Sequence, residues 1–128
     1  MNNNQKYILL VEDNTVAIKV GSIILQGLGC KVDVATNGKM AVEMAIKNNY
    51  DLISMDIGLP IMDGVEACRK IREYENKHPE RIQVPIVAVS ANTGKEEIKQ
   101  YITAGMQHVI SKPFDKARGE ELLTFCIK

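Results

Sequence analysis

The chain has 128 residues, one ordinary domain's worth and enough to bury a sizeable core. Its 16 Lys and Arg balance its 16 Asp and Glu, so net charge provides no global pull toward nucleic acid or an anionic membrane. No apolar run approaches a membrane span, and MNNNQK lacks a signal-peptide core. Cys30, Cys68 and Cys126 are scattered and odd in number, which fits neither a disulfide framework nor a zinc site, and a reducing cytoplasm is the simplest setting.

Residues 1–5 are polar and are expected to be a disordered N-terminus. Tyr7 to Val11 is an apolar run that reads as the first strand, followed at once by Glu12, Asp13 and Asn14. Asn14 suits the cap of a helix from about Thr15 to Leu28, with Val16, Val20, Ile23, Ile24 and Leu28 expected on its inner face and Gly29 at its left-handed end. Lys31 to Ala35 alternates as a half-buried strand, and Lys39 to Asn48 reads as a second helix carrying Ala41, Met44 and Ala45.

The stretch DLISMDIGLP, Asp51 to Pro60, is the centre of the reading. Leu52 to Met55 looks like a buried strand that delivers Asp56 to its C-terminal end. A loop from Gly58 to Asp63 leads to a third helix, about Gly64 to Glu75, and a polar connection from Asn76 to Gln83. Val84 to Val89 is the next expected strand, with Pro85 near its start and Ser90 to Thr93 as its exit loop. A helix over Lys95 to Thr103 is expected to turn Ile98 and Ile102 inward. A short strand, His108 to Ser111, and a last helix, Glu120 to Ile127, complete five strand-helix units. That order predicts an α/β fold: a parallel sheet with helices on both faces and right-handed crossovers.

In such a sheet all strand C-termini point one way, which brings Glu12, Asp13, Asp56, Ser90 and Lys112 to one pocket. Each acid alone fits turn or cap chemistry equally well, and Lys112 alone fits a solvated charge. Together they make a crowded set of carboxylates that a cation must relieve. Mg²⁺ suits such a set, because it takes a few carboxylates and keeps several waters, often beside phosphate. There is no glycine-rich nucleotide loop, no nucleophile elbow and no paired histidines.

The motifs VEDN at 11–14, MDIGLPIMDG at 55–64, VSAN at 89–92 and KPF at 112–114 resemble the receiver (response-regulator) domain of bacterial two-component signalling. The likeness covers about Lys6 to Ile127, is most like receivers of hybrid sensor kinases, and makes residues 1–128 a single receiver domain. It implies a flavodoxin-like fold with strand order 2-1-3-4-5. It also implies that Asp56 is the phosphoacceptor, and that Glu12, Asp13, Asp56 and the Gly58 carbonyl hold Mg²⁺, with Mn²⁺ as a substitute. Ser90 and Lys112 would bind the phosphoryl group, with a cis bond before Pro113. The partner implied is a sensor histidine kinase or a histidine-phosphotransfer protein, with no direct nucleic acid and no membrane contact in this chain, which is expected to be cytoplasmic and a monomer or weak dimer. The domain would catalyse its own phosphorylation and dephosphorylation without being a turnover enzyme. A pseudo-receiver that docks a partner constitutively is the alternative. The chain reads either as a stand-alone regulator or as a piece of a hybrid kinase.

One position departs from the pattern. The family's switch aromatic would stand at Val109, which is short and stiff at χ1. Weak coupling between Asp56 and the surface around Lys95 to Tyr101, Val109 and Glu120 to Cys126 is therefore expected, as in a relay whose partner docks beside the first helix.

Overall fold

The computed structural model describes residues 5–127, so the expectation for residues 1–4 lies outside the described residues. Five strands, β1 (Tyr7–Val11), β2 (Lys31–Ala35), β3 (Leu52–Asp56), β4 (Ile86–Ser90) and β5 (His108–Ser111), form one parallel sheet in the order β2-β1-β3-β4-β5. Between and after them run α1 (Thr15–Gly27), α2 (Gly38–Lys47), α3 (Gly64–Lys77), α4 (Lys95–Ala104) and α5 (Lys116–Leu123). The expected fold class and strand order are observed.

The sheet is buried on both faces, and alternate residues of each strand serve opposite cores. Leu9, Val11, Ile53, Met55, Ile86 and Ala88 pack with Ala41, Ala45, Ala67, Cys68, Ile71, Tyr101 and Ala104 from α2, α3 and α4. Ile8, Leu52, Val87 and Ile110 face the other way, against Leu25 of α1 and Leu122 of α5. Burying side chains of this size stabilises by about 1.5–3 kcal/mol each. Among the described residues no helix is long and apolar enough to cross a membrane.

Four expectations are corrected. The inner face of α1 is Gly21 and Leu25 with half-buried Ile18, Ile24 and Leu28, whereas Val16, Val20 and Ile23 lie exposed. The inner face of α4 is Tyr101 and Ala104, and Ile102 is exposed. β4 starts at Ile86, because Pro85 has no N–H for the ladder, and its carbonyl instead accepts the Ile53 N–H at 2.9 Å. Ser90 is thus the last residue of the strand and pairs in register with Ser111. α5 starts at Lys116 and ends at Leu123, because the Asp115 side chain accepts the Arg118 N–H at 2.9 Å and caps it. Gly119 belongs inside α5, where α1 approaches closely: a Cβ there would lie 2.8 Å from Ile24 Cγ2.

Two arginines tie connections to helices. Arg81 donates to the carbonyls of Ala45, Ile46 and Asn48 and so caps the C-terminal end of α2. Arg72 of α3 donates to Val84 O at 2.8 Å and Gly105 O at 2.9 and 3.0 Å, and pairs with buried Glu75 at 2.7 Å.

Candidate functional site

Hydrogen-bonded register carries four chemical groups to one edge. Val11 pairs beside Met55, Asp56 beside Val89, and Ser90 beside Ser111, so Glu12 and Asp56 stand level, Ser90 one residue beyond them and Lys112 two, all at the same edge of the sheet. Local chemistry then fixes the exits. The Glu12 N–H donates to Ala35 O at 2.9 Å, and Asn14 caps α1 by accepting the Ala17 N–H at 2.9 Å. Gly64 starts α3 directly against β3; a Cβ there would meet the Asp56 carbonyl oxygen at 2.4 Å, so only glycine fits.

An open cleft of about 740 Å³ results, lined by Glu12, Asp13, Asp56, Gly58, Ser90 and Lys112. Six of the residues singled out from the sequence are therefore brought together. Carboxylate oxygens of Glu12, Asp13 and Asp56 lie within 4.8 Å of one another. Glu12 and Asp56 are buried and Asp13 is exposed. Lys112 Nζ lies 2.9 Å from Asp56 Oδ1 and 3.9 Å from Glu12 Oε2. The Lys112–Pro113 peptide bond is cis.

The charges here are unbalanced. Burial, then the hydrogen bond and charge of Asp56, push Glu12 up to about 7, against the pull of the Asn14 N–H and Lys112. Burial lowers Lys112, but the hydrogen bond to Asp56 and the charges of Asp56, Glu12 and Asp13 outweigh it and hold the ammonium above its ordinary value. Three hard oxygen donors with one ammonium, and no His or Cys among them, fit Mg²⁺.

Two residues stand apart. Val109 is half-buried on the α2–α4 side of the sheet and does not line the cleft. His108 points oppositely, as a period of two demands: its Nε2 pairs with Glu121 at 2.8 Å and its ring stacks on Phe125. Pro113 lines a neighbouring apolar cleft of about 500 Å³ with Val16, Ala17, Val20 and Phe114, which also reaches Asp56 and Lys112.

The main cleft also takes in a buried tyrosine that the sequence did not single out. Tyr101 of α4 lines it, and its Oη lies 3.2 Å from Ser90 Oγ. Its spacing of three from buried Ala104 was the available signal for an inward face.

The geometry has known counterparts. Residues 8–124 match the family model of the response regulator receiver domain. The chain is 35% identical to "Probable histidine kinase 1" of Oryza sativa subsp. indica, over 94% of this chain and 15% of that protein. It is 42% identical to the aerobic respiration control sensor protein ArcB of Escherichia coli K12, over 83% of this chain and 13% of that protein. The chain thus spans less than a fifth of the length of these curated relatives. Among solved structures, it superposes with a TM-score of 0.83 on the receiver domain of the sensor histidine kinase PA1611 of Pseudomonas aeruginosa PAO1, which has a magnesium ion coordinated in its active-site cleft; identity is 38%, over 94% of this chain and 95% of that one. A TM-score of 0.86 relates it, at 26% identity over 94% and 88% of the two chains, to a match in the co-crystal of the Saccharomyces cerevisiae phosphotransfer protein Ypd1 with the receiver domain of Ssk1.

Proposed function

Since this chain belongs to the response regulator receiver family, we propose that its Asp56 accepts a phosphoryl group from a phosphohistidine on a kinase or phosphotransfer partner, with Mg²⁺ in the cleft. One observation carries the reading: three carboxylates converge within 4.8 Å, and an ammonium, that of Lys112, sits 2.9 Å from Asp56.

An Asp56 oxygen attacks phosphorus in line with the scissile P–N bond. That bond breaks, its electron pair stays on the imidazole, and an acyl phosphate forms on Asp56. Lys112, already held at the attacking carboxylate, pairs with the phosphoryl oxygens as charge moves onto them. Ser90, one residue beyond the level of Asp56 on the neighbouring strand, supplies a hydroxyl donor. Glu12, Asp13, Asp56 and the Gly58 carbonyl would hold the metal, and Mn²⁺ would substitute for it. When bound, the divalent ion neutralises the phosphoryl oxygens and the carboxylate cluster together.

The partner's helices would dock beside α1. Val16 and Val20 are exposed there and border the apolar cleft that reaches Asp56.

Incubation with Mg²⁺ and either acetyl phosphate or a phosphorylated phosphotransfer domain, followed by intact mass measurement, tests the reading. One phosphoryl adduct is expected, and Asp56→Asn is expected to lose it while keeping the fold. A folded protein that takes no adduct from either donor refutes the assignment.

A further inference from the structure

Helix α4 is held very differently at its two ends. At the C-terminal end Arg72 donates twice to Gly105 O, and Cys68 Sγ donates to Ala104 O at 3.4 Å. At the other end Gly94 provides no side-chain cap, and Lys95, Glu96, Lys99 and Gln100 are all exposed. Besides Ala104, only Tyr101 is buried in this helix. Its hydroxyl reaches past the core to the reaction cleft.

There it joins a three-membered set. Ser90 Oγ lies 3.1 Å from Asn92 O and 3.2 Å from Tyr101 Oη. Tyr101 Oη also donates to Asn92 O at 3.2 Å, and the Asn92 N–H donates to Ser90 Oγ at 3.0 Å. Ser90 has one hydroxyl proton, and here it is directed within the 90–101 segment. A phosphoryl oxygen on Asp56, being charged, is a stronger acceptor than either a carbonyl or a phenol. Once Ser90 turns its proton to that oxygen, it no longer donates to Asn92 O or Tyr101 Oη, and the three-membered set that holds the buried Tyr101 hydroxyl must rearrange. The differential contact that a two-state shift requires is therefore present.

We propose that Tyr101 is the positioning residue that couples Ser90, and through it the occupancy of Asp56, to helix α4, with Arg72 and Cys68 fixing the opposite end as a pivot. It does from α4 what an aromatic at Val109 would do from β5. The weak coupling expected from Val109 is thereby replaced by coupling through Tyr101. This inference rests on the reading of Asp56 as the phosphoacceptor.

The full chain labelled at tyrosine ¹³Cζ and at backbone ¹⁵N is titrated with Mg²⁺ and beryllofluoride, and its adduct with acetyl phosphate is measured by mass in parallel. Absence of one resonance in Tyr101→Phe identifies the Tyr101 signal. In the parent chain that signal and the amides of residues 95–100 are expected to shift. Tyr101→Phe keeps the ring and is expected to keep the adduct and the shifts of residues 90–93, but to lose those of residues 95–100. In Ser90→Ala the Tyr101 signal is expected to be displaced already without beryllofluoride, which tests the contact in a second protein. An intact α4 response in Tyr101→Phe, or a parent Tyr101 signal that stays still while the adduct forms, overturns the proposal alone. A parent chain without any adduct overturns the Asp56 reading and this inference with it.

Discussion

Lys112 and Asp56 form an ion pair, Nζ to Oδ1 at 2.9 Å, in which the carboxylate is buried and the ammonium is 36% exposed. The pair holds in place a cation that offsets the three acids. Lys112→Met is expected to lower metal-free stability by only about 1 kcal/mol, because solvent screens a partly exposed ammonium. Mg²⁺ affinity should rise in the same variant, since no ammonium then competes for Asp56. Phosphorylation by acetyl phosphate should slow by roughly tenfold or more, as one stabiliser of the developing charge is gone. Urea unfolding, metal titration and labelling rates read these three quantities. A parent-like labelling rate would remove Lys112 from the chemistry.

Asp13 is the exposed member of the cluster, so its carboxylate costs little to solvate and is free to meet a metal. Asp13→Ala should abolish the Mg²⁺-dependent rise in melting temperature and the phosphoryl adduct. Without metal the variant should be as stable as the parent or slightly more so, because one of a repelling set has gone. Thermal melts with and without Mg²⁺ check this, and an undiminished metal-dependent shift would show that Asp13 is not a ligand.

Glu12 sets a pH dependence whose sign is fixed by the direction of its shift. Its carboxyl is raised from an unfolded value near 4.5 to about 7 in the folded chain. Between those values the folded state keeps a proton that the unfolded state has released. Glu12 therefore contributes stability that is full below the unfolded value and is lost as pH rises through the folded one. Without divalent metal, urea midpoints of the parent should fall between pH values of about 5 and 7.5 relative to Glu12→Gln, which cannot titrate. Parallel midpoints in the two proteins over that range would contradict the shift.

The central strands and their acidic ends were legible because β1 and β3 are short apolar runs broken at once by a charged residue, at Val11-Glu12 and Met55-Asp56. Helix faces were less legible. α1 carries apolar residues on two sides, and Val16, Val20 and Ile23 match a helical stripe as well as Ile18, Gly21 and Leu25 do. Only packing against Leu10 and α5 decides between them, since a Cβ on Gly21 would lie 3.1 Å from Leu10 Cδ2. The Ser90–Tyr101 contact depends on which side of α4 faces β4, a tertiary fact. Arg72 was unreadable for the same reason: its partners at Val84 and Gly105 are backbone carbonyls distant in sequence.

Arg72 has a side chain 12% exposed and carries five hydrogen bonds, two to Gly105 O and one each to Val84 O, Glu75 and Gln107. Arg72→Ala leaves those carbonyls and the buried Glu75 carboxylate without their cation. A loss of about 3–5 kcal/mol in denaturant unfolding is expected, the range for breaking one side of a buried pair. A loss under about 1 kcal/mol would mean that water replaces the guanidinium at little cost.

The exposed stripe on α1 separates docking from chemistry. Val16 is 70% exposed, Val20 42% and Ile23 60%, and their spacing of four and three places them on one face. Water gains nothing from such a stripe, while an apolar helix of a partner would cover it and at the same time reach the cleft shared with Asp56 and Lys112. The double variant Val16→Gln, Val20→Gln adds no charge near the carboxylates and removes no core contact, so its stability should stay within about 0.5 kcal/mol of the parent. Labelling by acetyl phosphate, which needs no protein surface, should remain within about twofold. Transfer from a phosphorylated histidine domain should fall roughly five- to thirtyfold, the effect of one or two apolar anchors lost from an interface. Rapid-quench measurement of both donors on both proteins distinguishes the cases. An equal fall with the two donors would place the damage in the chemistry, and no fall with the protein donor would move the docking surface away from α1.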